Sequence, residues 1–299
     1  NTGTGKTAAF LVPLLHRAIS DPKMKVLILA PTRELAVQIQ DEFNALAKEL
    51  RIWSILVVGG LSMHRQIAGL RGNTRFLIAT PGRLNDLKDR KAVNLATYTH
   101  LVLDEADRMV DMGFINDIRK ILSGLPEQRH SLFFSATLPN EVKSLIHSFL
   151  KDPVTVSVKK QDTSANVDQD VIRVRFGESK MDILVDLLKK DPSLSKVLIF
   201  GRTKRGVDRI AMALEARDFS VVSIHGDKVQ NKRQKALDLF KQNKAQILVA
   251  TDVAARGLDI PNVSHVINFD VPQSYEDYVH RIGRTGRADK QGKALTFLE

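Results

Sequence analysis

The chain has 299 residues, of which 26% are charged and 43% hydrophobic, with 45 Lys and Arg against 34 Asp and Glu and a formal net charge of +11. At about 100 to 200 residues per domain, two domains are expected, each large enough to bury its own core. With no cysteine, disulfide frameworks, zinc ribbons, iron–sulfur clusters and catalytic thiolates are excluded, and a reducing, cytoplasmic setting fits. Apolar runs such as Val26 to Ala30 are too short to span a bilayer, so no membrane role is expected. The positive surplus suits either a polyanionic partner or plain solubility, and charge alone leaves both open.

Short apolar runs recur along the chain: Val26 to Ala30, Ile52 to Val58, Phe76 to Ala79, Leu101 to Leu103, Leu132 to Phe134, Val197 to Phe200, Val221 to Ile224, Ile247 to Ala250 and Val266 to Phe269. Continuous rather than alternating hydrophobicity is what strands covered on both faces look like. Amphipathic helices fall between them. Val142, Leu145, Ile146 and Phe149 follow helical spacing, as do Val207, Ile210, Ala211 and Leu214, and Pro139 sits near the start of the first set. The polar stretch from Lys159 to Asp170 separates two such βα series and reads as an interdomain linker. The division expected is therefore residues 1–160 and 161–299. The first part carries 22 Lys and Arg against 15 Asp and Glu, the second 23 against 19, so both are basic. The opening Asn1-Thr2-Gly3-Thr4-Gly5-Lys6-Thr7 reads as the later half of a phosphate loop, and Leu298-Glu299 as the inside of a strand.

In that loop Gly3 and Gly5 free the backbone to turn N–H groups toward phosphate oxygens. Thr4 lies between them, Lys6 can neutralise phosphate, Thr7 offers a hydroxyl to Mg²⁺, and a helix N-terminus follows. Alone, such a stretch is also compatible with an ordinary Gly-rich turn. Leu101-Val102-Leu103 ending in Asp104-Glu105 supplies the second element, one acid for Mg²⁺ and the next for the attacking water. Most polar motifs follow strand runs, and ligands of open parallel sheets bind beyond the carboxyl ends of the strands.

Gly-x-Gly-Lys-Thr at 3–7, PTRELA at 31–36, GG at 59 and 60, TPGR at 80–83, DEAD at 104–107, SAT at 135–137, QNKR at 230–233, ATDVAARGLD at 250–259 and HRIGRTGR at 280–287 together resemble the DEAD-box RNA helicases of superfamily 2, in a bacterial-type wording. The resemblance spans nearly the whole chain. It implies an α/β fold of two tandem RecA-like domains with mainly parallel sheets flanked by helices, binding ATP with Mg²⁺ and RNA. In that family an adenine-selecting motif precedes the phosphate loop, and the sequence, opening within the loop, does not show it.

Carried over by position, the resemblance implies that Gly3, Thr4, Gly5, Lys6, Thr7, Asp104 and Asp252 bind nucleotide, with Thr7 and Asp104 toward Mg²⁺ and Asp252 near the ribose. It implies Glu105 as the residue positioning the hydrolytic water and Arg284 and Arg287 as arginine fingers. His280, with Asp107, Ser135 and Thr137, would form a hydrogen-bonded latch between nucleotide and RNA sites. From the residues alone, Ser135 and Thr137 read as caps of the next helix, His280 as a surface histidine, and the two arginines as a solvated helix face.

The RNA contacts expected are Thr32, Arg33, Gly59, Gly60, Thr80 and Arg83 in the first half, with Thr203, Gly226, Lys228 and Thr251 in the second. These are small, hydroxylic or cationic residues suited to a sugar–phosphate backbone. None is aromatic, so backbone tracking with little sequence preference is expected. Single-stranded and duplex RNA are the partners implied. The activity implied is RNA-stimulated ATP hydrolysis coupled to domain closure and local unwinding, with an ATP-gated RNA clamp or a DNA motor as alternatives.

Overall fold

In the computed structural model the residues described are 5–72, 74–157, 167–255, 258, 260, 262–286 and 291–299. The chain divides into two compact units, residues 2–157 and 158–299. Among the described residues, the first unit alternates α1 (Lys6–Ser20), β1 (Val26–Leu29), α2 (Arg33–Ala47), β2 (Ser54–Val57), α3 (Met63–Leu70), β3 (Phe76–Ala79), α4 (Pro81–Asp89), β4 (His100–Leu103), α5 (Ala106–Asp111), α6 (Ile115–Leu122), β5 (His130–Phe133) and α7 (Asn140–Phe149). Its strands pair in parallel in the order β2-β3-β1-β4-β5.

The continuous apolar runs explain the sheet's position. Val26, Ile28 and Ala30 pack with Phe10, Leu14, Ile39 and Phe43 on one face, while Leu27 and Leu29 meet Leu84, Leu103 and Ile118 on the other. All four residues of β1 and of β3 are buried. Each such side chain contributes about 1.5–3 kcal/mol of apolar burial, which is why β1 and β3 carry no polar residue.

The second unit contains β6 (Val167–Arg173), α8 (Lys180–Lys190), β7 (Val197–Phe200), α9 (Lys204–Glu215), β8 (Val221–Ile224), α10 (Gln230–Lys241), β9 (Ile247–Ala250), α11 (Asp252–Ala255), β10 (His265–Asn268), α12 (Tyr275–Ile282) and β11 (Gly292–Leu298). Its sheet order is β6-β11-β10-β7-β9-β8, again parallel throughout the described pairs. Alternate residues of β7 and β9 feed two opposite cores, Ile199 and Val249 into one and Leu198, Phe200 and Leu248 into the other.

One sequence expectation is corrected here. Val167–Asp170 is not linker but the first half of β6, paired along its length with β11 from Val167 opposite Gly292 to Arg173 opposite Leu298. Most of β6 is exposed, being an edge strand, so its polar composition hid it. Residues 159–166 of the expected linker lie outside the described residues.

Candidate nucleotide and nucleic-acid sites

The helix α1 starts directly after Gly5, whose φ of 76° is left-handed. A side chain there would be strained, so glycine suits the turn that delivers Lys6 and Thr7 to the first helical turn. Both are half-buried. Gly3 and Thr4 lie outside the described residues.

Asp104 follows β4, where its amide N–H donates to the Leu29 carbonyl. Its side chain is buried, and its Oδ1 has no hydrogen-bond partner among the described residues. Burial first, and then the neighbouring Glu105 charge, push this carboxyl up to about 6, while Lys6 pulls the other way. The Glu105 amide gives the carboxylate one hydrogen bond, but a buried acid with its other oxygen left without a donor is still unfavourable as an anion. A divalent cation with its water shell relieves both penalties, so the donor chemistry at Asp104 fits Mg²⁺.

Glu105 occupies the left-handed region, φ 53° and ψ 54°, at the turn into α5. For a residue with a Cβ this conformation costs energy and persists only where surrounding contacts hold it. One such contact is an ion pair with Arg108, Nη1 to Oε2 at 2.6 Å, between side chains only 7% and 15% exposed. The sequence reading did not single out Arg108, although its i+3 spacing from Glu105 was a visible signal.

Asp107 is the centre of a denser network. Its Oδ2 accepts from the Ala136 amide at 3.1 Å, the Thr137 amide at 2.8 Å and the Thr137 hydroxyl at 2.9 Å. Its Oδ1 accepts from the Arg108 amide at 3.0 Å. Ser135 Oγ accepts from the Asp107 amide and donates to the Thr137 carbonyl. Ser135 and Thr137 therefore do not cap α7, whose N-cap is Pro139 with no side-chain bond. The fold brings Asp107, Ser135 and Thr137 together; His280 sits on α12 of the second unit.

The expected nucleic-acid residues of the first unit cluster at strand ends. Thr32 caps α2 by accepting from the Leu35 amide, and Thr80 precedes α4. Arg33 lies against Gly59 so closely that a Cβ there would come within 2.7 Å of its guanidinium. Gly60 has φ 83°, and Arg83 donates to the Leu61 carbonyl at 3.2 Å. The same loop is held from below by buried Gln66, which donates to the Val58 and Leu61 carbonyls. Gln66 was missed because nothing in a lone glutamine announces two carbonyl partners.

In the second unit Thr203 caps α9 by accepting from the Gly206 amide. Gly226 is exposed, and Lys228 pairs with Asp208 at 3.3 Å and with the Ser223 hydroxyl. Thr251 is buried at the end of β9. Asp252 begins α11, with both carboxylate oxygens on Arg281, Nε–Oδ1 at 2.6 Å and Nη2–Oδ2 at 2.7 Å. Arg281 also donates to Asn268 and to the Asp270 carbonyl and lies over the Phe200 ring. A separation of 29 residues between Asp252 and Arg281 left no sequence signal for this pair. Arg284 is buried, donating to the Leu258 carbonyl at 2.8 Å and the His280 carbonyl at 3.2 Å. Arg287 lies outside the described residues.

A parallel sheet with a glycine-led helix, an acidic strand end and a carboxylate-centred loop behind it is the arrangement of a nucleoside-triphosphate-driven motor domain. Comparison with known proteins gives the family. The DEAD/DEAH box helicase family matches residues 1–145, and the helicase conserved C-terminal domain matches residues 179–289. The chain is 47% identical over 300 residues to the ATP-dependent RNA helicase CshA of Limosilactobacillus reuteri, covering 99% of this chain and 60% of that protein. It is similar to the structure of Saccharomyces cerevisiae Dbp5 bound to RNA and ADP BeF3, with TM-score 0.86, 30% identity, and 100% of this chain and 78% of that one covered. It also resembles a DEAD box protein from Methanococcus jannaschii, 39% identical, with TM-score 0.53 and 100% and 80% covered. This chain belongs to the DEAD-box helicases, and its two units have the RecA-like α/β fold. It spans about 60% of the length of the curated relative it matches.

Proposed function

We propose that the chain is the core of an ATP-dependent RNA helicase, hydrolysing ATP in response to RNA and unwinding short duplexes locally. The observation that carries this reading is the buried, unpartnered Asp104 carboxyl oxygen beside Glu105 at the end of β4. In this reading Gly3, Thr4, Gly5 and Lys6 cradle the phosphates and Thr7 and Asp104 hold Mg²⁺, which would neutralise developing phosphate charge. Glu105 orients the attacking water. Asp252 faces the ribose, with Arg281 fixing its carboxylate. Arg284 and Arg287 approach the transferring phosphate, a role worth about 10³–10⁵ in rate for an arginine finger. Arg284 must first leave the Leu258 and His280 carbonyls it now binds.

Thr32, Arg33, Gly59, Gly60, Thr80, Arg83, Thr203, Gly226, Lys228 and Thr251 track the RNA backbone, single-stranded or at the end of a duplex, with little sequence preference. Asp107, Ser135, Thr137 and His280 couple the RNA and nucleotide sites, and residues 1–160 and 161–299 act as the two moving parts. Support comes from the pairing of phosphate-type and backbone-type residues at strand ends and from the RNA named with the related structures.

ATP hydrolysis by the full-length protein, measured with and without RNA and with DNA of equal length, is the test. Stimulation by RNA alone is the expected result; equal rates throughout refute the reading. Glu105→Gln should slow hydrolysis yet still bind RNA more tightly with ATP than without, and loss of that ATP dependence would remove Glu105 from the assignment. Strand displacement against duplex length separates a helicase from an ATP-gated clamp. Six backbone contacts to a single strand also predict a slope of about −4 in log K against log salt.

A further inference from the structure

The loop at 135–137 and the turn at Glu105 are joined through two neighbouring residues, Asp107 and Arg108. Asp107 grips Ala136 and Thr137 with Oδ2 and the Arg108 amide with Oδ1. Arg108 in turn grips the Glu105 carboxylate through Nη1. We propose that Arg108 is a positioning residue: it fixes the Glu105 carboxylate and carries the state of the 135–137 loop to it.

The physical case rests on three features. First, Glu105 sits in a left-handed backbone conformation, so its side chain leaves the chain in an unusual direction and needs an external partner to set its rotamer. Second, Arg108 is itself 6% exposed, and a planar guanidinium held in a packed site is a fixed reference that a flexible surface lysine is not. Third, the Arg108 backbone and side chain are engaged on opposite sides of the link, by Asp107 and Glu105 respectively. A shift of the 135–137 loop therefore moves Asp107, then the first turn of α5, then the carboxylate. A thermodynamic cycle tests the coupling.

The inference rests on the reading of Glu105 as the residue that orients water. Wild type, Arg108→Met, Arg108→Lys, Glu105→Gln and the double variant Glu105→Gln/Arg108→Met are compared for RNA-saturated ATP turnover and for apparent KM. Displacing a reacting group by about 1 Å costs on the order of 100-fold, so Arg108→Met should lower kcat by about 10- to 100-fold with KM for ATP within about 2-fold. Arg108→Lys should recover part of that loss. In the Glu105→Gln background, Arg108→Met should cost nothing further. A second readout needs no turnover: in nucleotide-free protein, the effects of the two substitutions on the urea midpoint should be non-additive, as befits a direct pair.

An unchanged kcat in Arg108→Met, an equal further loss in the Glu105→Gln background, or a loss confined to KM each overturns the proposal. If wild type itself shows no RNA-stimulated hydrolysis, the helicase reading fails; if wild type is stimulated and Arg108→Met matches it, only the role of Arg108 fails.

Discussion

Replacing Asp107 by asparagine changes one oxygen to an amide and removes a charge from a site that is 6% exposed. The carboxylate accepts four hydrogen bonds, three on Oδ2 and one on Oδ1. Asparagine can offer its oxygen to the Ala136 and Thr137 donors, but its NH₂ then faces the Arg108 N–H, donor against donor. Bonds to charged acceptors contribute about 1.5–3 kcal/mol and neutral ones about 0.5–1.5. Three bonds weakened by about 1 kcal/mol each and one lost bond worth about 1.5–3 kcal/mol sum to about 4.5–6 kcal/mol as an upper figure. Sharing of one oxygen by three donors makes the terms non-additive, so about 3 kcal/mol is expected.

That cost appears where the network is, because the 135–137 loop can open without unfolding the sheet. Amide exchange is the assay. In the native-state limit, 3 kcal/mol corresponds to about a 100-fold loss of protection at Ala136 and Thr137, with the β1 and β3 amides little changed. RNA stimulation of hydrolysis should fall in parallel. Protection at both amides within about 3-fold of wild type would show that the carboxylate charge is not what holds the loop, and the reasoning would be wrong.

Gly59→Ala should leave stability within about 1 kcal/mol, because the neighbour it meets is the far end of the Arg33 side chain; RNA affinity should drop several-fold as Arg33 is displaced, as read by fluorescence anisotropy. Gly292→Ala places a methyl inside the Thr285 side chain and against the Gly286 amide, and should destabilise the second unit by about 2 kcal/mol or more in urea unfolding. The facing His100 and His130 on β4 and β5 both have pKa values lowered from 6.5, His100 by burial, His130 and Arg17 against an opposing Asp21, and His130 by burial and Arg17. The unfolded chain therefore takes up protons first, and their contribution is full above about pH 6.5 and lost as pH falls through the lowered values. Asp104, with its raised pKa, works in the opposite sense, contributing stability at low pH that is lost as pH rises through about 6. The difference in unfolding midpoint between wild type and His100→Gln/His130→Gln isolates the histidines; a difference that does not change between pH 5 and 7 refutes this assignment.

The central strands were legible from sequence because burial on both faces leaves only apolar residues: β1, β3, β7 and β9 coincide with runs that no other structure would require. The glycine-led start of α1 and the acidic end of β4 were legible for a similar reason, since φ above zero and a cluster of carboxylates are local properties. Edge strand β6 was not, because half of its contacts are with solvent and its partner β11 lies more than a hundred residues away. The polar partnerships divide in the same way. Arg108 with Glu105 is an i+3 pair that spacing allows, whereas Asp107 reaches Thr137 across 30 residues because the neighbouring strands β4 and β5 end side by side, and Arg281 reaches Asp252 from α12 although β7 lies between β9 and β10. Residue types and motif order were enough to identify the family and the candidate chemistry. Which carboxylate oxygen lacks a partner and which guanidinium holds which carboxylate was decided by burial in the folded chain, where each unsatisfied group costs too much to be left to chance.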